Sequence, residues 1–194
     1  MSISTSPKHR GKLSPEFALL GFLYGRSMHG YDIHQKLVAD LGEVWHLSQS
    51  QAYATLKRLA TQGDISSELI PQVKLPPRQL LHLMPQGRER FARWLQTPSG
   101  GSSRMMRMEF LTKLYFMHMY KLENVEQLFS EQCAEITRSI QSVEKRFTNL
   151  PASQFFNHVS LDIRVRQLRL LLEWLDDCRD SFLQYSPPSN PEGK

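Results

Sequence analysis

Three short helical patterns, one hairpin pattern and two long helical stripes predict a mostly helical chain with a small two-stranded sheet. The short helices occupy residues 14–62, the hairpin 65–84 and the long stripes the region after 104. The segment "TPSGGSS", residues 97–103, separates the two parts and has the composition of a linker. The expected organisation is a flexible basic tail (1–13), a first domain (14–96), the linker (97–103), a long-helix, coiled-coil-like domain (104–185) and a disordered tail (186–194).

Ser14-Pro15 opens the first helix: Ser suits an N-cap, and Pro at the next position loses an N–H that had no partner. Phe17, Leu20 and Leu23 or Tyr24 give its buried stripe. A turn at Ser27 to Gly30 leads to the second helix, with Ile33, Leu37 and Leu41 on one face and Gly42 as its stop. The third helix starts at Ser48, where "SQSQ" spells a capping box. Ala52, Leu56 and Leu59 point inward and Gly63 ends it. Ile65–Ile70 and Gln79–Met84 read as strands around "PQVKLPPR", too proline-rich for a strand interior. Pro85 begins a fourth helix carrying Phe91, Trp94 and Leu95.

Beyond the linker, Met108, Leu111, Leu114 or Tyr115, and His118 or Met119 mark one helix. Leu122, Val125, Phe129, Cys133, Ile136, Ile140, Val143, Phe147 and Leu150 then repeat at spacings of three and four, a heptad seam. Asn149-Leu150-Pro151 stops it. Phe156, Val159, Ile163, Leu170, Trp174, Cys178 and Phe182 make a second stripe, so the pair reads as an antiparallel helical hairpin.

Composition excludes several classes. Hydrophobic residues are 40% and charged residues 22% of 194, a globular mixture. No apolar run approaches the ~20 residues of a membrane span, and the first residues have no apolar signal-like core. A soluble cytoplasmic protein is expected. Cys133 and Cys178 are too few and too distant in sequence for a disulfide framework. No Gly-x-Ser-x-Gly, phosphate-binding loop or His-Glu-x-x-His is present, and His29 and His34 lie five apart, on different helix faces. Neither enzyme, cofactor nor metal is expected.

The net charge of +5 is unevenly placed. Residues 1–98 hold 12 Lys and Arg against 7 Asp and Glu, while residues 99–194 hold 12 of each. An anionic partner for the first half follows, and nucleic acid is the commonest. Two short helices, a break, a third helix with a polar start and then a strand pair form a winged helix-turn-helix. A major groove about 12 Å wide admits one helix, whose amino end meets base edges and whose free amides suit phosphate. Gln49, Ser50 and Gln51 suit that end, since Gln pairs bidentately with adenine and Ser is promiscuous. Ser48 either reads bases or simply caps. Tyr53 either bonds a phosphate or packs against the wing. Lys57, one turn on, reaches the backbone, and Lys74 and Arg78 place charge in the wing, where Pro76 and Pro77 stiffen the loop.

The segments "ALLGFLYGRSMHGYDIHQKL", "LSQSQAYATLKRLATQGDI" and "PPRQLLHLMPQGRERFARWL", with "RMEFLTKLYFM" at 107–117, together resemble the PadR family of bacterial transcriptional regulators over nearly all of residues 14–183. The resemblance implies a homodimer, with a winged helix per subunit and helical C-terminal dimerisation domains packed on each other. It implies that His29, Tyr31, Tyr53 and Lys57 face DNA phosphates, that Lys74 and Arg78 sit in the wing, and that the protein is a repressor. Three positions depart from the family's pattern: Ser50 where Gly is usual, Leu81 where an aromatic is usual in the second wing strand, and Met84 where a hydroxyl cap is usual.

The expected partners are double-stranded DNA carrying a pseudo-palindromic operator and a second copy of the chain. A second reading is a ligand-sensing or protein-interaction module whose DNA binding is secondary. Met105, Met106, Met108, Met117 and Met119 crowd one helix, and Trp94, Tyr115, Phe116 and Trp174 supply flat faces. A small aromatic effector would then meet Trp94, Met108, Tyr115 and Trp174; the alternative is that these residues are ordinary core.

Overall fold

The structure, a computed structural model, describes residues 13–71 and 78–185. Residues 1–12 of the expected basic tail, Lys74 with Pro76 and Pro77 of the wing loop, and the tail 186–194 lie outside the described residues. The elements run α1 (Glu16–Gly25), β1 (Met28–His29), α2 (Gly30–Leu41), α3 (Gln49–Thr61), β2 (Ile65–Ile70), β3 (Arg78–Leu83) and α4 (Pro85–Gln96). A short α5 (Ser103–Met105), a π-helical turn (Met106–Phe110), α6 (Leu111–Met119), α7 (Val125–Thr148) and α8 (Phe155–Gln184) follow.

The chain forms two compact units. The first comprises residues 1–98 and 104–123, the second residues 99–103 and 124–194. The expected boundary at 97–103 therefore falls elsewhere in the packing, because residues 104–123 belong to the first unit's core. Phe116 is fully buried, edge-on to Phe22 at 5.3 Å and to Phe91 at 5.3 Å. A Cβ on Gly21 would stand 2.2 Å from that ring. The Tyr120 hydroxyl donates to the Gly21 carbonyl (2.5 Å) and accepts the Gly25 N–H (3.1 Å).

α1 is buried along Ala18–Leu23 on all sides, as befits a helix apolar all round. Its start differs by one residue from the sequence expectation. Pro15 takes the cap position and the Ser14 hydroxyl accepts the Glu16 N–H only at 3.5 Å. The sheet has three strands in the order β1-β3-β2, all antiparallel, rather than two. β1 escapes sequence reading because two residues show no period. Met28 pairs with Leu81, which is 6% exposed, so Leu in place of an aromatic still fills the sheet's inner face. Asp64 is 1% exposed and bonds Arg90.

Lys113 is the unexpected core residue. Fully buried, it donates to Glu109 (2.8 Å) and to the Thr97 carbonyl (2.5 Å) and lies 4.9 Å from the Trp94 ring centroid. Burial pulls its pKa below the usual lysine value, and Glu109 partly opposes this. The π-turn just before α6 shifts the inward face, so that Met106, Phe110, Leu114 and Met117 are core.

In the second unit α7 and α8 pack as the expected hairpin. Leu128, Phe129, Gln132, Ile136, Ile140 and Val143 of α7 are buried, and Phe129 meets Phe182 at 6.2 Å. The linker is held rather than slack: Ser99 is buried, its N–H donates to Gln132 Oε1 (2.7 Å), and Gln132 Nε2 donates back to its carbonyl (2.9 Å). The α8 stripe differs from expectation. The inner seam is Leu161, Val165, Leu168 and Leu175. Phe156 is 84%, Leu170 63%, Ile163 55% and Val159 49% exposed. α8 is apolar on two faces, and a single-stripe reading follows only one of them.

Candidate nucleic-acid interface

The site is built on α3. Its capping box forms as the sequence predicts: Ser48 Oγ accepts the Gln51 N–H (3.3 Å) and Gln51 Oε1 accepts the Ser48 N–H (2.9 Å). Such a cap stabilises a helix by about 1 kcal/mol. It engages Ser48 and the Gln51 oxygen, whereas Gln49 and Ser50 are exposed and make no side-chain hydrogen bond among the described residues.

Burial sets the faces of α3. Ala52, Thr55, Leu56 and Leu59 point inward. At 100° per residue the opposite, solvent face carries Ser50, Ala54, Lys57 and Thr61, all exposed. One flank presents Tyr53 and Ala60 toward the sheet. The other presents Arg58, held by Glu16 at 2.7 Å.

Between the Tyr53 flank and the wing lies a groove of about 840 Å³, lined by His29, Tyr31, Tyr53, Lys57, Ser67, Arg78 and Gln79 among others. Five of the residues singled out from sequence thus share one concave surface. Tyr31 is 53% and Tyr53 44% exposed, large values for aromatic residues beside a core. Tyr53 packs over Gly30, where an added Cβ would stand 3.1 Å from its ring, and still leaves much of its surface exposed. His29 Nδ1 lies 2.9 Å from the Gln79 carbonyl. A carbonyl only accepts, so that nitrogen carries the proton and the imidazole ties the start of α2 to β3. Lys57 and Arg78 are exposed and form no ion pair among the described residues. Ser67 and Gln79 were missed in the sequence; strand alternation across the hairpin was the signal that could have found them.

The four residues suggested for an aromatic effector do not line this groove. Trp94 is stacked on Phe17 at 4.7 Å and 4°, and Tyr115 donates to Asp40. The Met108 carbonyl accepts from Thr112 Oγ1 (2.5 Å), and Trp174 is half-buried in the second unit.

A helix-turn-helix whose last helix shows a polar amino end beside a β-hairpin belongs to the winged-helix class of DNA-binding proteins. Residues 19–93 match the Transcriptional regulator PadR-like family, and residues 106–182 match the family described as Virulence activator alpha C-term. Residues 19–93 therefore carry a PadR-like domain, the domain of a family of transcriptional regulators. It is 25% identical over 138 residues to the negative transcriptional regulator PadR of Bacillus subtilis, spanning 71% of this chain and 75% of that one. Among solved structures, Bacillus subtilis PadR in complex with operator DNA is 22% identical with a TM-score of 0.44, covering 86% of this chain and 98% of that one. The Vibrio cholerae virulence activator AphA is 19% identical with a TM-score of 0.38, covering 89% and 100%.

Proposed function

We propose that the protein is a sequence-specific repressor that binds a pseudo-palindromic operator in double-stranded DNA as a cytoplasmic homodimer. The observation that carries this reading is the convergence of Tyr31, Tyr53, Lys57 and Arg78 on one groove beside the exposed amino end of α3. In this reading Gln49 and Ser50 read base edges. Tyr31, Tyr53 and Lys57 hold the phosphate backbone, and Arg78 with Lys74 extends the contact along the wing. Ser48 and Gln51 serve the helix cap first, and act on DNA by presenting the α3 amides. Repression as the sign of regulation follows the related PadR, which is named a negative regulator.

Two features support the homodimer. The outer face of α8, with Phe156, Val159, Ile163 and Leu170, is an apolar strip too extensive for a lone soluble helix. The charge along the second unit is also segregated. Residues 141–170 hold five Lys and Arg against two Asp and Glu, while 124–140 and 171–185 together hold two against seven. Two copies packed antiparallel set opposite signs together. None of the helices among the described residues is long and apolar enough to cross a membrane.

The test is retardation of the DNA upstream of the protein's own gene, titrated from 50 to 200 mM salt. Specific binding that weakens at least about 10³-fold over that range supports the reading. Absence of a retarded complex at low salt overturns it. The effector reading has no comparable support, because Trp94 and Tyr115 are engaged in packing and hydrogen bonding.

A further inference from the structure

We infer that Glu16, at the start of α1, is a positioning residue for operator recognition: it clamps the recognition helix α3 through Arg58. The inference rests on the DNA-binding reading above and names a residue outside the groove. Glu16 Oε1 accepts from both Arg58 Nε (2.9 Å) and Arg58 Nη2 (2.7 Å). Its other oxygen, Oε2, accepts from Arg90 Nη2 of α4 (2.5 Å). Arg90 in turn bonds Asp64 through Nη1 and lies over the Phe17 ring at 5.2 Å. One acid–base chain, Asp64–Arg90–Glu16–Arg58, therefore joins α1, α3, α4 and the residue between α3 and the wing.

The chain is not an ordinary surface pair. The Glu16 side chain is 12% exposed and that of Asp64 1%, so both carboxylates sit where water screens little. Arg58 is 50% exposed and on the flank of α3 away from the groove. The groove flank of α3 is already fixed by Tyr53 over Gly30. Glu16 fixes the opposite flank, so the helix is gripped from both sides and its rotation about its own axis is set. A few degrees of rotation re-aim Gln49 and Ser50 relative to Lys57, which alters base reading more than backbone contact. The same bond keeps Arg58 from acting as a phosphate-binding cation, although sequence alone would count it with Lys57.

The test uses the full chain on its upstream DNA and on a scrambled duplex of equal length. Arg58→Gln should weaken operator binding about tenfold and scrambled-DNA binding less than about twofold, with the salt slope unchanged. Glu16→Gln should also lower the operator-to-scrambled ratio about tenfold, while its salt slope holds or steepens as Arg58 is released. In the Arg58→Gln background, Glu16→Gln should add less than about twofold. A thermal melt of each variant separates these effects from unfolding, and Arg58→Gln, at a half-exposed site, is the variant least exposed to that problem. The inference is overturned if Arg58→Gln reduces the salt slope by about one, the mark of a phosphate contact, or if it leaves both affinities unchanged. It is equally overturned if the two substitutions add independently. If the wild-type chain retards no DNA, the DNA-binding reading fails and this inference with it; if the wild type binds and only the variants behave otherwise, this inference alone fails.

Discussion

Single residues around α3 divide by chemistry, and each division is measurable. Lys57 is a point charge on the solvent face, so Lys57→Ala should weaken binding to all DNA sequences alike and lower the salt slope by about one. Gln49 is a directional donor and acceptor, so Gln49→Ala should cost about 1–3 kcal/mol at one base position and little elsewhere. A panel of single-base operator variants read by anisotropy distinguishes the two. Far from the groove, Tyr115 is held neutral. Burial first, then its hydrogen bond to Asp40, pushes its hydroxyl well above the ordinary tyrosine value of 10.0. In the unfolded chain it ionises near pH 10. A pKa raised in the folded state gives stability that is whole below pH 10 and is lost as pH rises beyond it. Urea denaturation above pH 10 should therefore show wild-type stability falling, with a shallower fall in Tyr115→Phe. Equal slopes would remove Tyr115 from the explanation.

At the scale of elements, the sequence was most legible where local chemistry decides the outcome. The capping box at Ser48, the strand Ile65–Ile70 and the helix start at Pro85 all lie where residue type and spacing put them. Legibility failed where tertiary packing decides. β1 is a strand only because β3 lies beside it. The π-turn at Met106–Phe110 re-phases α6 so that Lys113, a residue usually assigned to the surface, is fully buried on Glu109. The first part of the stripe read on α8, Phe156 to Leu170, was its outer face, since two apolar faces cannot be ranked without knowing where α7 lies. In the site, the groove residues were recoverable, but the Arg58–Glu16 bond joins positions 42 apart and left no periodic trace. The α1–α6 crossing offers an element-level test. Gly21→Ala would drive a methyl to 2.2 Å from the buried Phe116 ring and should cost about 2–3 kcal/mol, read as a lower urea midpoint at unchanged slope. A neutral Gly21→Ala would show that α6 does not pack as described.

At the scale of the whole molecule, the proposal requires two subunits, because one short helix end reads too few bases to define an operator. The exposed strip on α8 separates assembly from folding. Phe156→Lys with Ile163→Lys leaves the inner seam of Leu161, Val165, Leu168 and Leu175 intact. The double variant should keep its helical circular dichroism, run as a monomer in light scattering and bind operator at least about 10²-fold more weakly. Truncation before α8 is the poorer experiment, since it also strips the buried partner of α7. A double variant that remains dimeric would move the subunit interface elsewhere.

The most direct measurement is a hydroxyl-radical footprint of the full chain on its upstream DNA. Two recognition helices related by a dyad should leave two equivalent protected patches whose centres lie one or two helical turns apart, about 34–36 Å per turn. Both should fade together in Lys57→Ala. Protection by a single patch, or patches unchanged by substitutions at Gln49, Tyr53 and Lys57, would contradict the assignment of the amino end of α3 as the part that enters the groove.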